Sequence, residues 1–478
     1  MLLIGGVIGT SAGMLRAQSE AHNAQTILAF VEGLLSEADP WSARTPDLTV
    51  REALADAEQR MAALDLDPLV EARIRESIGS VYRGLGLAGE AERYFRDALE
   101  LRRRAGDERS SDALRSMLRL SLALSDQNRL GEAESLSREV LEIHAHRGRE
   151  DEITYLAHAY LANALSEARR AGDALVHARA ALEGFTRLYG DDDPRTLTRM
   201  SDLGMAYMDF GELAQAERML RRAVEGRRRR LGPEAPDTLI SLDLLAIVLS
   251  DLGRDDEARA AYEEAVGGLR AALGSDHFAT LRAEHNFAMF LLGQGSLEQA
   301  ETLARSVLER RRRVLDPGHD DLLSSANCLA RIELARERFG PARTLFKENL
   351  DAIRAKYGPR HLFIAHTMRS IAKCDEGLGE LERAAEEYNI AISQFKDSLP
   401  DGHRHVLTTS VEYGDVLQRM RRFEDAESVL LGAFETSRDR FGVNDELTQS
   451  ALHSLVELYE GWGRRDRATA FRSFRAES

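Results

Sequence analysis

Four histidines, His277, His319, His361 and His403, recur at a spacing of 42 residues. Imidazole is a common metal ligand, so a ladder of metal sites is one chemistry open to them. The other is structural, as helix caps or loop packing. Ligands to one ion converge within about 2 Å of it, whereas packed helices stand about 8–10 Å apart. That disparity favours the structural role. His144 and His146 form a pair with no third ligand nearby in sequence. Asp191-Asp192-Asp193 lacks the spaced acids and closing glutamate of a calcium loop. Arginine runs at Arg102–Arg104, Arg227–Arg230 and Arg310–Arg313 sit near helix ends among many carboxylates. Cations there complement the helix dipole and are expected to face solvent. Cys328 and Cys374 are the only cysteines. Two are too few for a disulfide framework or a Cys-based zinc site, and a small apolar role is expected. No nucleophile elbow, dinucleotide loop or HExxH motif occurs. The chain is therefore expected to be no enzyme and to carry no metal or cofactor.

These residues hang on a repeating frame. The chain has 478 residues, 43% hydrophobic, 30% charged and only 6% aromatic, with a net charge of −16. Ala, Leu, Glu and Arg dominate, a helix-forming composition, and the acidic balance disfavours nucleic-acid binding. Alanine recurs at Ala91, Ala133, Ala174, Ala216, Ala258, Ala300, Ala342, Ala384, Ala426 and Ala468, every step being 42 residues except one of 41. A second column of mostly small residues runs through Gly79, Ser121, Ala162, Gly204, Ala246, Ala288, Ala330, Ala372 and Gly414. Small residues at fixed places on two helices let their axes approach closely. Between the columns fall Gly86, Asn128, Gly211, Gly253, Gly295, Gly379 and Gly463, which suit a left-handed helix end. Arg169, Glu337 and Arg421 replace them in three units, where less ideal turns are expected. Each unit reads as a helix–turn–helix that must stack on its neighbours to bury its apolar face.

The succession Leu203-Gly204-x-x-Tyr207, Gly211, Ala216, Leu220-x-x-Ala223 resembles the tetratricopeptide repeat. The 42-residue period and loops such as Leu231-Gly232-Pro233-Glu234 are similar to its kinesin-light-chain subtype. This implies an all-α fold, a right-handed α-solenoid superhelix of about ten hairpins over residues 69–478, preceded by a helical linker and a short apolar N-terminal helix. Such arrays serve many unrelated partners.

Residues 1–68 fall outside the period. Met1–Leu15 is uncharged. As a helix it would reach about 22 Å, short of the roughly 30 Å hydrocarbon core. Part of a transmembrane helix, an atypical signal or anchor, and a buried core segment are the readings open to it. Residues 16–68 read as a helical linker interrupted at Asp39-Pro40, with a capping box at Thr49 and Glu52. The run from Gly9-Thr10 through Phe30-x-x-x-Leu34-Leu35 to Asp47-Leu48-Thr49-Val50-Arg51-Glu52 resembles the junction of bacterial membrane-bound serine/threonine protein kinases that carry repeat arrays. No kinase motif is present in the chain. The resemblance implies the non-kinase, regulatory part of such a protein, membrane-associated through Met1–Leu15 if that helix is complete and otherwise cytoplasmic. The other reading is a free-standing soluble adaptor.

In the kinesin-light-chain subtype an asparagine on the first helix often contacts bound peptide. Only Asn286 matches that column here. Helical spacing puts Arg331, Arg369 and Lys373 on the same face. A cationic groove over units six to eight would suit a carboxylate or acidic peptide. The expected partner is a protein or peptide bound there, and no nucleic acid.

Overall fold

The computed structural model describes Met61 and residues 66–476, apart from 85–86, 316–317 and 401. The described chain divides between Pro233 and Glu234 into two compact units. The first holds four hairpins: α1 (Pro68–Gly84) with α2 (Ala88–Arg104), α3 (Ser111–Ser125) with α4 (Leu130–His146), α5 (Glu152–Glu167) with α6 (Ala171–Tyr189), and α7 (Pro194–Phe210) with α8 (Leu213–Leu231). The second holds six: α9 (Pro236–Asp251) with α10 (Asp255–Leu273), α11 (Phe278–Gly293) with α12 (Leu297–Val314), α13 (Asp320–Ala335) with α14 (Phe339–Tyr357), α15 (Leu362–Gly377) with α16 (Leu381–Ser398), α17 (Arg404–Arg419) with α18 (Phe423–Phe441), and α19 (Glu446–Gly461) with α20 (Arg465–Ala476). The architecture is all-helical, in the repeated hairpins of a tetratricopeptide-type solenoid.

The alanine column stands at the fourth residue of every second helix and is buried throughout. The facing column lets helices touch: a Cβ added to Gly204 would lie 2.8 Å from Leu220 Cγ. No hairpin closes its own core. Leu323 and Ala330 of α13 pack with Phe346 of α14 and with Ile364 and Met368 of α15, so each hairpin completes the previous one.

The hairpin turns are alike whatever residue fills them. Gly211 has φ 89°, Gly253 71°, Asn128 59°, Arg169 61°, Glu337 57° and Arg421 58°. Two bonds lock the turn, as in Arg421 N–H to Gln418 O and Arg422 N–H to Leu417 O, both 2.9 Å. This pair is the Schellman arrangement, which needs a left-handed residue. The three departures from glycine or asparagine therefore adopt the same turn under strain.

Two expectations change. The arginine runs were expected to face solvent, yet each contributes a buried side chain: Arg102 is 1% exposed, Arg227 7% and Arg311 2%. These three share one column, near the end of a second helix, which holds His144, Phe185, Leu269, Ile353, Phe395 and Ser437 elsewhere. Their guanidinium groups find acceptors on first helices. Arg102 Nε donates to Glu76 at 3.0 Å, Arg227 Nη2 to Thr198 Oγ1 at 2.9 Å, and Arg311 Nη1 to Ser325 Oγ at 2.7 Å. The second change concerns membrane association. No helix among the described residues is long and apolar enough to cross a membrane. An apolar helix such as α9 has 16 residues, about 24 Å against the roughly 30 Å needed. The localisation expected through an N-terminal helix is withdrawn on that finding. Met1–Leu15 and the Thr49–Glu52 capping box lie outside the described residues.

Candidate interaction surface

The first helices of successive hairpins lie side by side within each unit, and they are joined by side chains 43 residues apart. In the first unit Arg119 donates to Glu76 at 2.8 Å, Arg83 to Asp126 at 2.6 Å, and Ser166 to Asp209. In the second, Asn286 Nδ2 donates to Asp243 at 3.0 Å, Arg369 Nε to Glu412 at 2.6 Å, and Arg419 pairs with Glu376. One residue more than the period carries each pair across to the neighbouring helix. Strict 42-residue columns do not pair Asn286 with Asp243 or Arg369 with Glu412; adding one to the period does.

The predicted groove residues all lie on first helices of the second unit. Arg369 and Lys373, on α15, converge on the single carboxylate of Glu412, with Lys373 Nζ at 2.9 Å. Burial works against the charge on Arg369, but Glu412 outweighs it and raises the pKa. Arg331, on α13, is exposed and touches Met289 Sδ at 3.7 Å, and among the described residues no ion pair joins it to a carboxylate. Asn286, on α11, is tied to Asp243 rather than to these cations. Asp243 is fully buried, and burial pushes its carboxyl up to about 6, against Arg282 and the Asn286 amide. Further along, burial pushes Asp415 up to about 6, with Glu457, Glu376 and Glu412 adding to the rise and Ser454 opposing it.

The repeated histidines cap helices. Nδ1 of His277, His319, His361 and His403 accepts from the backbone N–H of Ala279, Asp321, Phe363 and His405 at 3.2, 3.2, 3.3 and 3.2 Å. A neutral imidazole has one ring lone pair, and here the cap uses it; the other nitrogen carries the proton. Ser110, Asp151, Asp193 and Asp445 fill the same column and do the same task. Asp192 of the acidic run pairs with Arg229 at 2.8 Å. His144 is buried, its Nδ1 2.9 Å from Thr154 Oγ1. A pairing not anticipated from sequence joins His158 and His177, Nδ1 to Nδ1 at 2.9 Å. Burial and the His177 ring push His158 down to about 4. Both cysteines are buried and unbridged. Burial pushes the Cys328 thiol up to about 11 and that of Cys374 up to about 12, so neither is a ready thiolate.

The model of the tetratricopeptide repeat matches residues 70–145, 154–229, 200–271, 279–348 and 321–397, more than half of the chain. No curated protein matches the sequence. Among solved structures, nearly identical TPR-like repeats from Podosopora anserina share 22% identity, covering 43% of this chain and 98% of theirs at a TM-score of 0.36. BtubC (BKLC) from P. vanneervenii shares 17%, covering 49% and 92% at 0.38. The quorum sensor NprR from B. thuringiensis, in its apo form, shares 13%, covering 79% and 99% at 0.48.

Proposed function

The chain belongs to the tetratricopeptide repeat family, and from that premise we propose that it is a non-catalytic scaffold or sensor that holds a protein or peptide against the first helices of its second unit. The observation that carries the reading is local: Arg369 and Lys373 share the one carboxylate of Glu412, and Arg331 is exposed with no carboxylate partner among the described residues. These cations suit an acidic peptide or a terminal carboxylate. The double substitution Arg331→Glu with Lys373→Glu leaves the Arg369–Glu412 fork in place. It is expected to abolish retention of an acidic peptide at unchanged helicity, while Glu412→Gln strengthens it. Retention that ignores both changes removes the site.

A finer reading makes the array part of, or derived from, a bacterial serine/threonine kinase signalling protein. It is supported by the resemblance of the N-terminal segment alone. Kinase motifs in frame upstream of Met1 would support it; an upstream region without them favours the free-standing adaptor.

A further inference from the structure

The cap column divides in its response to acid between its histidines and its Ser and Asp residues. Ser110, Asp151 and Asp193 cap first helices of the first unit, and their acceptor oxygens keep their lone pairs at mild acidity. His277, His319, His361 and His403 cap four successive first helices of the second unit through Nδ1. An imidazolium has no ring lone pair to accept with, and it adds positive charge where the helix dipole is already positive. We propose that these four caps form an acid-sensitive element, which releases the starts of α11, α13, α15 and α17 as the pH falls from neutral and leaves the Ser- and Asp-capped helices closed.

The surroundings bear on each cap. Asp276 adjoins His277, and Arg310 from α12 reaches over its loop to Ser275 O at 2.6 Å while pairing with Glu284. Beside His319 stand Asp320 and Asp321. Lys356 and Tyr357 of α14 hold Asp320, and Arg311 of α12 faces Asp321. His361 stacks on Tyr357 with ring centroids 4.4 Å apart; burial lowers its pKa, and Asp320 opposes that. His403 lies 5.0 Å from the His405 ring, which is itself 4.6 Å from His366. Arg440 of α18 packs on the adjoining Gly402. Burial, His405 and Arg369 push His366 down to about 4.

Burial lowers the folded pKa of His361, so the contribution of its cap is present above the unfolded value near 6.5 and is lost as pH falls through the folded value. All four caps are partly exposed, so protons reach them.

The test is hydrogen exchange followed by mass spectrometry on the full chain at about pH 7.5 and about pH 5, corrected for intrinsic rates. In the native chain, protection at the starts of α11, α13, α15 and α17 is expected to fall about five-fold more than at α3, α5 and α7. In the variant carrying His277→Asp, His319→Asp, His361→Asp and His403→Asp, the excess loss is expected to vanish, because aspartate caps at both values. An equal loss in both units, or an undiminished loss in the variant, overturns the proposal. Should the quadruple variant misfold, His277→Asp alone is read at α11 against α13, α15 and α17 in the same molecule.

Discussion

Replacing Arg421 by glycine should make the protein more stable, although an arginine side chain is removed. Arg421 sits at φ 58°, and both bonds of its turn are formed at 2.9 Å. Its side chain is exposed and bonds to nothing among the described residues, so no contact is lost. Holding a side-chain-bearing residue in the left-handed region costs about 1–2 kcal/mol. Glycine escapes that cost but gives the unfolded chain about 0.5–1 kcal/mol of extra freedom. The difference is a gain of about 0.5–1 kcal/mol. Arg169 and Glu337 occupy the same turn at φ 61° and 57° and are also exposed. The three sites lie in separate hairpins, so their gains should add to about 1.5–3 kcal/mol in the triple variant. Gly253→Ala, at φ 71°, is the converse and should lose about 1 kcal/mol. Urea unfolding reads the sum, and hydrogen exchange reads each hairpin, since repeat arrays need not melt in one step. If Arg421→Gly is neutral or destabilising while Gly253→Ala costs nothing, the strain argument is wrong.

Two further outcomes follow from buried charge. Arg102→Ala leaves Glu76, itself 6% exposed, with Arg119 as its remaining cation at 2.8 Å, and should destabilise the first unit by up to about 3 kcal/mol. Pairing it with Glu76→Gln should recover part of that, and urea unfolding that shows no recovery would refute the charge explanation. Asp243→Asn acts through pH. Burial raises its folded pKa to about 6, so the stability it contributes is full below about 4 and is lost as pH rises through about 6. The substitution should therefore stabilise the second unit by about 1–3 kcal/mol near pH 7.5, with a gain that shrinks toward pH 4. Thermal melts showing a loss near pH 7.5 would contradict it.

The frame was readable because it rests on residues with few alternatives. Ala91 through Ala468 mark where helices touch, and Gly211 marks where the chain reverses; both constraints act within one hairpin. What escaped was contact between hairpins. That Arg102 turns inward while Arg103 and Arg104 stay exposed depends on Glu76, one helix earlier. That Lys373 shares an acceptor with Arg369 depends on Glu412, one hairpin later. A periodic pattern locates such residues but does not say which of them neutralise each other. The histidines were read by elimination as structural; only backbone geometry showed that their lone pairs are spent on Ala279, Asp321, Phe363 and His405.

The identical caps from His277 to His403 have a genetic consequence. Each opens a segment of the same length, and among the described residues each hairpin in this stretch packs chiefly on its immediate neighbours. Recombination between the coding segments for His319 and His361 would excise residues 319–360 and leave an in-frame splice. His361 would then stand where His319 stood, behind α12, with the same bond to make. The shortened product should keep its helicity, with one hairpin fewer. The array can thus change length by whole modules, and the cap makes its junctions interchangeable.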